Sequence, residues 1–138
     1  MLRLPSLFDA QRSSPPILER MLQHVTLEVP PDDLERSLEL WALLGFQRVE
    51  PPPALAETFA WVERDGTQIH LERNKSPVVP PHGHAAVVVP DFEPTVRRLR
   101  EHGFEVRPGR EHWGAPRAKV VAPGGHKVEL MAAAPKAS

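Results

Sequence analysis

The sequence contains no cysteine and no tyrosine, and only 6% of its residues are aromatic. Without thiols there is neither a disulfide framework nor a thiolate metal site, which fits a reducing compartment, and a cytoplasmic location is the expectation. No stretch approaches the roughly 18 consecutive apolar residues of a membrane span. The start of the chain carries Arg3, Asp9 and Arg12 and lacks the apolar run of a secretion signal. Charge of one sign is not in excess either. Seventeen Lys and Arg against eighteen Asp and Glu leave a formal net charge of −1. Nucleic-acid and membrane-surface partners are therefore not expected, since both demand a basic excess. The one local basic run, Arg97-Arg98-Leu99-Arg100, falls inside a helical pattern and reads as a solvated helix face.

What is abundant is proline, with 17 among 138 residues. The prolines cluster at Pro15-Pro16, Pro30-Pro31, Pro51-Pro52-Pro53, Pro77 and Pro80-Pro81. Each lacks a backbone donor and restricts its predecessor, so these clusters punctuate the chain into short elements. The length suits one domain with one core.

The chain repeats itself. His24-Val25-Thr26-Leu27-Glu28-Val29-Pro30 precedes an amphipathic stretch ending Leu44-Gly45-Phe46; His84-Ala85-Ala86-Val87-Val88-Val89-Pro90 precedes one ending His102-Gly103-Phe104. Gly66-Thr67-Gln68-Ile69-His70-Leu71 later parallels Gly125-His126-Lys127-Val128-Glu129-Leu130. All three correspondences keep a spacing of about sixty residues, the mark of a duplicated module.

Both copies follow one grammar. In the first, Val25, Leu27 and Val29 alternate with His24, Thr26 and Glu28, the period of a strand over 21–29. Asp32 or Asp33 is placed to cap a helix with Leu34, Leu38 and Trp41 inward and Gly45 at its end. Strands follow over 46–50, 57–64 and 67–73, the last two joined by an Asp65-Gly66 turn. The second copy has a strand over 84–89, a cap at Asp91 and a helix with Val96 and Leu99 inward. Strands over 104–107, 117–122 and 126–132 follow, with Pro123-Gly124-Gly125 as a turn. The fold class expected is α+β: two βαβββ modules, 21–73 and 83–132, forming a cup-shaped mixed sheet with helices on the outside. Residues 1–20 are read as an N-terminal arm and 133–138 as a tail. The sheet leaves edges to cover, so a homodimer is expected, with modules pairing within or between chains.

Strand alternation sorts the faces. Val25 and Leu27 toward the helix put His24 on the open side, and Ile69 and Leu71 put His70 and Glu72 there. Val87 and Val128 do the same for His84 and Glu129. Four metal-competent side chains at matching module positions converge if the modules pair about a pseudo-twofold axis. Imidazole nitrogens and a carboxylate suit Zn²⁺, Ni²⁺, Mn²⁺, Co²⁺ or Fe²⁺. Glu129 is the candidate catalytic base. Trp61, Trp113, Arg117 and Glu72 are candidate substrate contacts: the indoles as stacking surfaces, Arg117 as a fork for a carboxylate or phosphate, and Glu72 as a rim charge. Trp41 reads as core. His82, His102, His112 and His126 receive no role.

The segments Leu22-Gln23-His24-Val25-Thr26-Leu27, Leu43-Leu44-Gly45-Phe46, Gly83-His84-Ala85-Ala86-Val87 and Ala122-Pro123-Gly124-Gly125-His126-Lys127-Val128-Glu129-Leu130 resemble the vicinal oxygen chelate superfamily, the glyoxalase and bleomycin-resistance fold. The resemblance spans about residues 21–132, with alanine where aspartate is usual before Pro123. Carried over, it puts His24, His70, His84 and Glu129 on the family's four metal positions. Glyoxalase I-like members usually have glutamate where His70 stands, and extradiol dioxygenases use a tyrosine acid that this chain lacks. The resemblance implies a divalent-metal lyase or isomerase that stabilises an enolate-type oxyanion of a small oxygen-rich substrate. The alternative it carries is a metal-free drug-binding protein of the bleomycin-resistance type.

Overall fold

The computed structural model describes residues 21–136. The expected arm at 1–20 and the end of the tail at 137–138 lie outside the described residues. Strand β1 (His24–Val29) leads through a 3₁₀ turn (Pro31–Asp33) into helix α1 (Leu34–Leu43). Strands β2 (Gln47–Val49), β3 (Phe59–Arg64) and β4 (Thr67–Arg73) complete the first module. The second runs β5 (Ala85–Val88), α2 (Phe92–Glu101), β6 (Val106–Gly109), β7 (Arg117–Val121) and β8 (Lys127–Met131). The strand orders are β1-β4-β3-β2 and β5-β8-β7-β6, so each module makes its own four-stranded mixed sheet. In each, the first and last strands pair in parallel and the others antiparallel. The fold is α+β, and each sheet stays open.

Several local expectations shift. The strand expected over 104–107 begins at Val106 and runs on to Gly109, because Phe104 turns into the core instead. His84 stands immediately before β5 rather than within it. Neither Asp33 nor Asp91 caps its helix with its side chain. Pro31 starts a tighter turn ahead of α1, Ser37 Oγ donates to the Asp33 carbonyl at 2.9 Å, and Asp91 pairs with Arg98. On α1 the fully buried positions are Leu34, Ser37, Leu40 and Trp41, with Leu38 packed against them less deeply.

One apolar core serves both modules. Leu40, Trp41, Ile69 and Leu71 from the first join Val96, Leu99, Val120, Val128 and Leu130 from the second in a single cluster. Burying such side chains stabilises the fold by about 1.5–3 kcal/mol each. Polar contacts fasten the seam. The Arg36 guanidinium lies 3.8 Å over the Phe104 ring and donates to the His102 carbonyl, while His102 Nδ1 meets Glu39 Oε2 at 2.8 Å. His126 Nε2 reaches the Glu28 carbonyl at 2.8 Å, capping edge strand β1 from the opposite module. The helices and core occupy one face of each sheet, and the other face of each carries the polar side chains.

Candidate functional site

On the first module the open face is built around His70. Register places Thr26 and Trp61 on either side of it, with His24 opposite Gln68. The His24 and Trp61 rings each lie 4.0 Å from the His70 ring, at 13° and 6° to its plane. His70 is buried in this three-ring stack although its strand position faces away from the helix, while His24 at its end is exposed. Burial, with a smaller push from His24, drives the His70 pKa down to about 4, so its imidazole is neutral over the physiological range. Gln68 Oε1 lies 2.7 Å from His70 Nε2, and Gln68 Nε2 donates to Glu63 at 2.8 Å, orienting the ring. Gln23 Oε1 stands 2.7 Å from His24 Nδ1. Trp61 Nε1 is a buried donor without an acceptor among the described residues.

The second module offers a charged counterpart. His84 Nε2 lies 3.0 Å from Glu129 Oε1, and Arg117 Nε donates to Glu129 Oε2 at 2.8 Å. The Arg117 hydrogen bond is the largest of the influences that hold the Glu129 carboxyl below its usual range; burial opposes it, and His84 adds to it. Arg117 is further fixed by the Arg110 carbonyl at 2.6 Å, with its guanidinium 5.2 Å from the Trp113 ring. Trp113 Nε1 donates to the Ala133 carbonyl at 2.8 Å, which anchors the loop between β6 and β7. Glu72, on the first module, accepts a long contact from Asn74 at 3.5 Å. Trp41 is core, as its helical spacing indicates.

The four candidate ligands thus assemble as two pairs, His24 with His70 and His84 with Glu129. Among the described residues no group of three or more His, Cys, Asp or Glu is close enough to hold a metal ion. Within one chain the sheets are separate, so strand alternation aims all four at open faces without bringing the pairs to one point.

Sequence reasoning missed Gln68, which sits two positions before His70 on the same strand face and was readable by parity. It also missed His126 as the cap on β1; no local pattern marks that contact, because the partners are far apart in sequence. The cations that share a face with Arg117 and Glu129, namely Arg107, Lys119 and Lys127, were likewise legible from alternation alone.

No helix among the described residues is long and apolar enough to cross a membrane. No curated protein matches the chain. Solved structures do. The chain is similar to a glyoxalase family protein from Bacillus anthracis, with TM-score 0.71 and 20% identity over 81% of this chain and 93% of that one. It resembles the fosfomycin resistance protein FosX from Listeria monocytogenes at TM-score 0.66 and 18% identity, over 82% and 91% of the two chains. The bleomycin resistance determinant of transposon Tn5 follows at 0.56 and 17%, over 78% and 94%. At these identities the likeness is one of fold. The family model of the Glyoxalase/Bleomycin resistance protein/Dioxygenase superfamily matches residues 21–130, and the chain belongs to that superfamily.

Proposed function

We propose that this protein is a divalent-metal-dependent lyase or isomerase acting on a small oxygen-rich substrate, at a site built from the first module of one copy and the second module of another. The observation that carries the reading is the equivalence of the two pairs. His24 and His70 hold the positions in the first module that His84 and Glu129 hold in the second, and all four face away from the helices. Each pair alone offers two donors, and joining them supplies four.

The donor set fits an ion of the Zn²⁺, Ni²⁺, Mn²⁺, Co²⁺ or Fe²⁺ type. His70 is kept neutral, the form that ligates, and Gln68 fixes its ring. When bound, such an ion supplies Lewis acidity toward substrate oxygens. The protein's own groups do the rest. Arg117 clamps one oxygen of Glu129 and leaves the other beside His84. Glu129 is the candidate proton acceptor, and it takes a proton near neutral pH only when Arg117 is drawn away, because that bond keeps the carboxylate too weak a base. Trp61 and Trp113 offer flat surfaces to a substrate, and Glu72 stands at the rim of the first face.

A second reading is favoured by one feature. Arg117 already pairs with Glu129 without any ion, which suits a metal-free drug-binding protein, and Trp61 then offers its ring to an aromatic ligand. Metal content separates the two. Wild-type protein takes up about one equivalent of metal, while His24→Ala/His70→Ala and His84→Ala/Glu129→Ala each take up none. Co-expressing the two variants restores roughly a quarter of the wild-type content if sites are shared across a two-fold dimer, and nothing if they lie within one chain. No uptake of any of these ions by wild-type protein defeats the enzyme reading and leaves the binding protein.

A further inference from the structure

On the open face of the first module three side chains form a chain of hydrogen bonds whose direction is fixed at one end. Glu63 on β3 and Gln68 on β4 are direct cross-strand partners, and Gln68 stands two residues before His70 on the same strand face. Gln68 Nε2 donates to Glu63 Oε1 at 2.8 Å, and Gln68 Oε1 lies 2.7 Å from His70 Nε2. Among the described residues Glu63 forms no ion pair, and the Gln68 amide is the side-chain donor that meets its carboxylate. A carboxylate only accepts, so Glu63 compels Gln68 to turn its NH₂ toward β3 and its carbonyl toward His70. An amide carbonyl also only accepts. The hydrogen of a neutral His70 ring therefore sits on Nε2, and the lone pair is left on Nδ1.

The surroundings leave the ring little other freedom. The His24 and Trp61 rings cover its two faces at 4.0 Å, so a further partner meets it at the edge. Gln68 occupies the Nε2 side of that edge. His84 in the second module is polarised the other way. Its Nδ1 lies 2.8 Å from the His82 carbonyl, an acceptor, so Nδ1 holds a hydrogen and Nε2 is turned to Glu129. The two modules thus present opposite nitrogens.

We infer that Glu63 and Gln68 are positioning residues: acting in series, they lock His70 as the Nε2–H tautomer and make Nδ1 the atom through which it takes a divalent cation. Glu63 does this without touching the ring. The assignment of Nδ1 to a cation rests on the metal reading above; the tautomer itself does not.

The test is nitrogen NMR of histidine-labelled protein at pH 8 with chelator present, where an imidazole of ordinary pKa, about 6.5, is neutral. Wild-type protein is expected to show His70 with a pyrrole-type Nε2 and a pyridine-type Nδ1. A free imidazole already favours Nε2–H, so the decisive variants reverse the relay. In Glu63→Lys the new ammonium only donates, Gln68 swings its carbonyl to β3 and its NH₂ to His70, and the hydrogen moves to Nδ1. In Glu63→Lys/Gln68→Glu the carboxylate at position 68 accepts from Nε2 again and restores the first tautomer. Packing alone would not invert a tautomer and then restore it. Glu63→Gln, nearly isosteric, frees the amide to face either way and raises the Nδ1–H fraction, so the inference stays testable if the lysine variant does not fold. Zn²⁺ added after removal of chelator is expected to shift the Nδ1 signal of His70 and leave the hydrogen on Nε2. Glu63→Lys weakens zinc uptake about tenfold or more and the double variant recovers it, while Glu50→Lys, the same charge change at an exposed site of the first module, leaves it unchanged. An Nδ1–H tautomer in wild-type protein overturns the inference, as does an unchanged tautomer in both Glu63 variants. Zinc shifting Nε2 in place of Nδ1 overturns the assignment of the ligating atom. A tautomer that reverses as expected without zinc uptake by wild-type protein sinks the metal reading alone; zinc uptake with an unresponsive tautomer sinks this one alone.

Discussion

His70 shows how a single side chain is set by its neighbours. Its strand parity turns it to the open face, and there His24 and Trp61 close over both sides of its ring. Burial then lowers its pKa from 6.5 to about 4. In the unfolded chain the imidazole takes its proton near 6.5, and in the folded one only near 4, so between those values the unfolded state binds more protons. The stabilisation is complete above pH 6.5 and falls as pH drops toward 4, by up to about 3 kcal/mol at the low end. Urea unfolding across this window should show the loss, and His70→Gln should flatten it. A proton-NMR titration of His70 centred near 6.5 would contradict the burial account. Parity made the position of His70 legible in the sequence. Its burial was not legible, because that depends on two rings from other strands.

At the scale of elements, the turn between β7 and β8 does more than reverse the chain. Gly124 has φ +89°, a conformation that costs any L side chain about 1–2 kcal/mol. A Cβ there would also sit 2.8 Å from Cδ of Pro30, at the end of β1 in the other module. Two residues on, His126 holds the Glu28 carbonyl of the same strand. Turn and edge strand are thus fitted to each other across the module seam. Gly124→Ala is expected to destabilise the protein by about 2–4 kcal/mol through backbone strain and the clash together. Denaturant melts should show the shift, and amide exchange of β1 should accelerate before that of β4. A change within 0.5 kcal/mol, the ordinary scatter of surface substitutions, would show that the seam yields without cost. Composition and spacing mark this segment as a turn; its fit against Pro30 follows only from packing.

For the whole molecule, the separation of the two sheets is what matters. Each open face holds half of the candidate ligands, and the seam is made by helices, core and the His126 cap rather than by strand pairing. On the proposed reading, a second copy laying its second module against the first module of its partner would unite the pairs, and two-fold symmetry would make two such sites. Linkage gives the expected behaviour. A metal held jointly by two chains stabilises the dimer, so adding Zn²⁺ or Ni²⁺ should move dimerisation to lower protein concentration, and chelator should reverse it. Sedimentation velocity across a concentration series measures this. A monomer at every concentration, with metal bound, would place the site within one chain.

The amino-acid sequence by itself determined the duplicated βαβββ plan, the strand faces and the residue types on them, because those follow from local periodicity, turn chemistry and the repeat. It also marked His24, His70, His84 and Glu129 as sharing faces free of helix, and Arg117 as a candidate substrate contact. Only the tertiary structure decided that the four candidate ligands form two pairs, that Arg117 already holds Glu129, and that His70 is sealed between two rings. Alternation along a strand says which side a group is on. How far apart two groups on different sheets end up depends on how the modules pack, a long-range property of the shared core that no local pattern encodes.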